Sequence, residues 1–253
     1  MRRALLAAVL ALALLAVPAA AQGPEKTAGP TGAQAAPDPA AVARGQALFS
    51  RGCTGCHGMD GRGVAGQGPT LVGAGAAAAD FYLGTGRMPL NGEPGSEPLR
   101  GEPAYSDGQI ADIAAWVASL GPGPAIPAVD PARGDLSEGM ELFTVHCAGC
   151  HQVVARGGLV TKGAAPSLQQ ATPQQVGEAI RVGPYTMPVF TPRVISDAQV
   201  DSIAAYVELA KDPVDRGGAG LGNVGPVPEG MVAWIAALGA LLIVARIIGE
   251  RAK

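Results

Sequence analysis

Cys53-Thr54-Gly55-Cys56-His57 returns later in the chain as Cys147-Ala148-Gly149-Cys150-His151. Two cysteines three positions apart, with a histidine directly after, have the spacing of a c-type haem attachment. The thiols add across the vinyl groups of one porphyrin, and the adjacent imidazole reaches its iron. Five such residues make one turn or a helix start, so both sulfurs and the ring face the same macrocycle. The two copies use all four cysteines of the chain. Competing readings fit less well. Two pairs could pool into one four-thiolate zinc site, or form disulfides, but neither explains the trailing histidines. A thioredoxin-like motif needs a strand before it, and neither copy follows a β-branched run. Two covalently bound haem c groups are therefore expected, attached through Cys53, Cys56, Cys147 and Cys150, with His57 and His151 as proximal iron ligands.

The surrounding sequence repeats with the motifs. Gly45-Gln46-Ala47-Leu48-Phe49 precedes the first and Gly139-Met140-Glu141-Leu142-Phe143 the second. A proline step follows each: Gly68-Pro69-Thr70-Leu71 and Ala165-Pro166-Ser167-Leu168. Next come Gly86-Arg87-Met88-Pro89 and Tyr185-Thr186-Met187-Pro188. Each half closes on a helix that starts with Ser and has Gln three residues later, at Ser106-Gln109 and Ser196-Gln199, the pattern of a capping box. Ile110, Ile113, Ala114 and Val117 make one apolar stripe, and Val200, Ile203, Ala204 and Val207 another. Asp38-Pro39 offers a further helix start.

The predicted organisation is a signal peptide or N-terminal anchor over 1–21, a flexible lead over 22–37, one domain over 38–120 and a Pro/Gly linker over 121–131. A second domain over 132–212, a Gly/Pro-rich stalk over 213–230 and a transmembrane helix over 231–249 follow. Met1-Arg2-Arg3, an apolar run and Ala19-Ala20-Ala21 read as a secretory signal. The later run spans nineteen residues from Met231 to Gly249, about the hydrocarbon thickness of a bilayer at the helical rise. Trp234 suits one interface, and Arg246, Arg251 and Lys253 place the end in the cytoplasm. The haem domains then lie on the outer side of the cell membrane. The chain has 253 residues, a net charge of −3 and 4% aromatics. That charge leaves no footprint for nucleic acid, and so few large side chains make a thin core that haem would fill.

A distal iron ligand is still needed in each half. The chain has three histidines, and His146, directly before Cys147, is tied to the attachment segment. Methionine remains. Met59 sits too close to His57, and Met140 lies on a leading helix. Met88 and Met187, each in a Met-Pro step at matching places, are the expected distal ligands, and His/Met ligation raises the potential of a cytochrome c.

These parts, in this order, resemble the class I cytochrome c fold. The fold expected is mainly α, two tandem class I cytochrome c domains plus a C-terminal transmembrane helix. The resemblance implies that Gly45, Phe49 and Trp116, and Gly139, Phe143 and Tyr206, form the crossings of first and last helices. It also implies that the Pro69 and Pro166 carbonyls accept the proximal imidazole N–H. With Thr85-Gly86-Arg87-Met88-Pro89 and the Gly225-Pro226 and Pro228-Glu229-Gly230-Met231 lead-in to the anchor, the chain resembles the dihaem cytochrome c subunit of actinobacterial cytochrome bcc complexes. The dihaem subunit of cbb-type oxidases is similar in haem chemistry but has its anchor before the haem domains.

The resemblance implies a subunit of a quinol–cytochrome c oxidoreductase, with no independent catalytic site in this chain. Its partners would be a cytochrome b subunit, a Rieske iron–sulfur subunit and a haem-copper terminal oxidase. Single electrons would pass from the Rieske centre to one haem, to the other, and on to the oxidase. The alternative is a membrane-anchored dihaem cytochrome serving another dehydrogenase or oxidase, or a catalytic dihaem enzyme. Between Met88 and Ser106 the first half carries an extra loop, Leu90–Tyr105, expected to touch a partner protein near the first haem.

Overall fold

A computed structural model describes residues 36–161, 163–213 and 226–251. The segment read as a signal or anchor, residues 22–35 of the lead, and 214–225 of the stretch read as a stalk lie outside them. The two halves share one plan. In the first, α1 (Pro39–Gly52) runs into the one-turn helix α2 (Thr54–His57), then come α3 (Gly75–Gly84) and α4 (Asp107–Ser119). In the second, α5 (Leu136–His146) runs into α6 (Ala148–His151). A short antiparallel hairpin follows, β1 (Gly158–Val160) with β2 (Gly163–Ala165), then α7 (Pro173–Val182) and α8 (Asp197–Lys211).

The helix ends follow the local chemistry. The Asp38 carboxylate accepts from the Ala40 and Ala41 amides at 3.2 Å, with Pro39 in the first turn, where its missing N–H costs nothing. Both expected capping boxes form, at Ser106–Gln109 and Ser196–Gln199. A third, Thr172–Gln175, opens α7.

Each domain is held by a crossing of its first and last helices. A Cβ on Gly45 would fall 1.9 Å from the Asp112 carbonyl oxygen, and one on Gly139 equally close to that of Ser202. Only glycine permits such an approach. One step along, Phe49 meets Trp116 at 4.0 Å between ring centroids, and Phe143 meets Tyr206 at 5.1 Å. All four rings are buried. The first crossing is rimmed by Arg44, whose guanidinium donates to both Asp112 oxygens at 2.7 and 2.8 Å. In the second, the Ser202 hydroxyl donates to Glu138 at 2.8 Å.

The linker is fastened at both ends. The Ala77 amide donates to the Pro124 carbonyl at 3.1 Å, and the Asp130 amide to the buried Asp201 carboxylate at 2.8 Å. Helix α3 packs against α7 across the domain boundary. There Glu178, 1% exposed, bonds Asp80 and accepts from Gln174 Nε2 at 3.0 Å. The extra loop Leu90–Tyr105 reaches onto the second domain. Its Arg100 donates to Gln175 Oε1 at 3.1 and 3.2 Å and to the Gln170 carbonyl at 3.1 Å. Glu97 and Pro98 of the same loop line the cleft of the second domain.

The last helix, α9, runs from Pro226 to Arg251. It begins inside the stretch read as stalk, because its two prolines fall in the first turn, where no N–H is required. Gly230–Glu250, 21 residues, is long and apolar enough to cross a membrane, about 31 Å at the helical rise. Its large apolar side chains are exposed, as expected of a surface meant for lipid rather than for a core. Arg246 and Glu250 pair at 2.9 Å one turn apart near its end.

Candidate haem sites

Both attachment motifs are built alike. The leading helix ends at the first cysteine, whose amide donates to the Phe49 or Phe143 carbonyl, so the buried phenylalanine sets where the motif begins. The next turn then brings Cys56 and His57, or Cys150 and His151, onto the following one-turn helix. His57 Nδ1 lies 2.8 Å from the Pro69 carbonyl oxygen, and His151 Nδ1 2.9 Å from that of Pro166. A carbonyl only accepts, so Nδ1 carries the proton in both rings and Nε2 keeps its lone pair. An imidazole so held is oriented for a metal on its far side, and its basicity is raised. Burial pushes the His151 pKa down, with the Pro166 carbonyl opposing, so that ring is neutral at neutral pH. Burial, then Cys150, pushes the Cys147 thiol up to about 11.

The prolines stand twelve and fifteen residues after their histidines, and the structure accounts for the difference. In the first domain Val64 bridges Gly68 directly. In the second the same place holds the β1–β2 hairpin, from Gly158 paired with Ala165, which absorbs the extra residues before the chain rejoins the same path. A glycine six positions after each histidine makes this path possible. Gly63 and Gly157 have φ of +84° and +79°. Each donates its N–H to the histidine carbonyl, at 2.7 and 3.0 Å. A Cβ on either would come 2.8 Å from the carbonyl carbon of Pro69 or Pro166. These two glycines were missed in the sequence, although their equal offset in the two halves was available as a signal.

The methionine loops follow α3 and α7. The Met88 amide donates to the Tyr82 carbonyl at 3.0 Å, and the Met187 amide to Pro184 at 3.0 Å. Met88 packs, with Cys53, against the cluster of Phe49, Leu83, Ile110, Ile113, Trp116 and Val117. Met187 packs against the matching cluster of the second domain and shares one cleft with Cys147, Cys150 and His151. Met59 and Met140 are exposed, and His146 lies edge-on to Phe190 at 5.8 Å. Buried Arg181 ties down the end of the second methionine loop. It donates to the Phe190 and Ile195 carbonyls at 2.9 and 2.8 Å and to Asp197 at 2.6 Å.

The residues present fit c-type haem. The cleft holds two thiols, an imidazole with a free Nε2 and a thioether, set among apolar side chains. They do not fit a shared zinc centre: among the described residues no three His, Cys, Asp or Glu side chains converge on one point, and the four thiols are unpaired.

Residues 42–121 match the family model described as cytochrome c, and residues 134–207 that of cytochrome c oxidase, cbb3-type, subunit III. The chain is similar to the cytochrome bc1 complex cytochrome c subunit of Corynebacterium diphtheriae, with 36% identity over 84% of this chain and 82% of that one. The same-named subunit of Mycobacterium bovis is 39% identical over 82% of this chain and 77% of its own. A more distant relative is the Cbb3-type cytochrome c oxidase subunit CcoP of an Azospirillum species, 32% identical over 66% of this chain and 61% of that one. With two cytochrome c domains and relatives aligned over most of its length, the chain belongs to the family of cytochrome bc1 complex cytochrome c subunits.

Proposed function

We propose that this chain is the dihaem electron-transfer subunit of a respiratory quinol–cytochrome c reductase, relaying single electrons from a Rieske centre towards a haem-copper terminal oxidase. The observation that carries this reading is the duplicated site, in which each motif histidine has its Nδ1 proton held on a proline carbonyl. Haem c, when bound, supplies reversible one-electron chemistry at iron. The protein's part is to hold it rigidly. Cys53 and Cys56, and Cys147 and Cys150, bond the porphyrin edge. His57 and His151 would ligate its iron through Nε2, and Met88 and Met187 would supply the thioether ligands. With one histidine and one methionine for each haem, no iron position would remain open for a substrate, which favours electron transfer over catalysis.

Helix α9 anchors the chain in the membrane with its C-terminal end in the cytoplasm and the haem domains outside. A cytochrome b subunit and a Rieske subunit would bind quinol, menaquinol in this family, and this chain would not.

The test is purification from gentle detergent with haem staining. Two covalent haems per chain and co-migration with cytochrome b and a Rieske protein are expected. Migration alone, or with a soluble dehydrogenase, overturns the assignment. For the ligands, Met88→Ala and Met187→Ala should each remove part of the near-infrared methionine-to-ferric-haem band. An undiminished band in either variant refutes that methionine.

A further inference from the structure

The cleft that holds Cys147, Cys150, His151 and Met187 is not closed by the second domain alone. Phe81, Tyr82, Arg87, Glu97, Pro98 and Arg100, all from the first domain, line it as well. Among them Arg87 is anomalous. Its Nη1 is buried and has no hydrogen-bond partner among the described residues. Its guanidinium lies over the Phe81 ring at 5.0 Å, a contact that holds the side chain but satisfies no N–H.

Arg100 is already engaged with Gln170 and Gln175, and Glu97 is the one carboxylate among the six first-domain residues of the wall. A buried cationic donor left unpaired is among the costlier defects a fold can carry. Two cations against one carboxylate, with a free N–H at the cleft wall, call for an anionic acceptor from whatever fills the cleft. Haem carries two carboxylates, its propionates, at one edge.

We propose that Arg87 of the first domain donates to a propionate of the haem in the second domain, so that one domain completes the cofactor site of the other. This rests on the reading of the cleft as a haem site. It has a structural corollary: Arg87 is the residue immediately before Met88. One dipeptide thus serves both sites, with its methionine turned to the first and its guanidinium to the second. The electrostatic sign follows. A propionate carboxylate stabilises the ferric over the ferrous state, and a paired guanidinium offsets it, raising the potential of the second haem.

The test is spectroelectrochemical titration of the full-length, doubly haem-loaded protein in detergent. Arg87→Gln should lower one of the two midpoints, changing the interhaem equilibrium constant about tenfold, which is 59 mV for one electron. Arg87→Lys, which keeps the charge, should recover most of the shift, and the near-infrared methionine band should be intact in both. The affected haem is assigned in Cys147→Ser/Cys150→Ser protein. If that protein keeps a single haem, Arg87→Gln should leave its midpoint unmoved. Unchanged midpoints in the two-haem protein overturn the proposal. So does an equal shift in the Lys and Gln variants, or a shift confined to the first haem. Failure of the underlying haem reading is seen separately, as a protein that never carries a second covalent haem.

Discussion

Glu178→Gln should stabilise the protein in a way that grows with pH. Glu178 is buried in the seam between α3 and α7, facing Asp80. Burial first, then the Asp80 side chain, pushes its pKa up from 4.5 to about 9. The folded form therefore keeps a proton that the unfolded chain gives up. Below about pH 4.5 both states hold it, and the contact contributes fully. Above that, stability falls by about 1.4 kcal/mol per pH unit until the folded pKa is passed. From pH 5 to pH 7.5 the loss is about 3 kcal/mol. Glutamine keeps the geometry, since its amide can donate to Asp80 and accept from Gln174, and it does not titrate. The variant should match the wild type near pH 5. At pH 7.5 it should melt higher by about 6–12 °C, on the scaling for a chain of this size. Thermal unfolding of the full chain in detergent, followed by circular dichroism from pH 5 to 9 at fixed ionic strength, measures this. Parallel pH profiles for the two proteins would refute a shared proton at the seam. A wild type that loses no stability over the interval would do the same.

Other perturbations act on the crossings and on the haem environment. Gly45→Ala and Gly139→Ala each drive a methyl into a backbone carbonyl, and each should cost about 1–3 kcal/mol or prevent docking, read as a lowered melting temperature. Gly63→Ala and Gly157→Ala should displace the proline carbonyl from the imidazole. Weakening that bond makes the ligand less basic, so the midpoint of the corresponding haem should rise; a fall would contradict the role given to the carbonyl. Arg181→Met strands the Phe190 and Ile195 carbonyls, at about 1–3 kcal/mol. It should weaken the methionine band of the second haem and leave the first unchanged.

Much of this was legible because it is written twice. The glycine and phenylalanine before each motif, the capping boxes and the Met-Pro steps reinforce one another across the repeat. Helix α3 was not anticipated, since Gly75–Gly84 opens on a run of alanines and gathers its large side chains, Phe81, Tyr82 and Leu83, at one end, which leaves no stripe. Helix α7 announces itself through Thr172 and Gln175, a signal that was overlooked. The hairpin strands are three residues each, too short for any periodicity. The reach of Arg87 and Arg100 into the second site is set by how the domains dock, and no local pattern encodes it.

The helix crossings also bear on the order of assembly. Arg44 and Asp112 are 68 positions apart, and Glu138 and Ser202 are 64 apart. Such long-range closures come late, because most of the domain must be in place before they can form. Until the final helix arrives, the turn bearing the thiols hangs from a helix that nothing yet fastens. The attachment chemistry thus sits on the half of each crossing that is made first, ahead of the helix that fastens it.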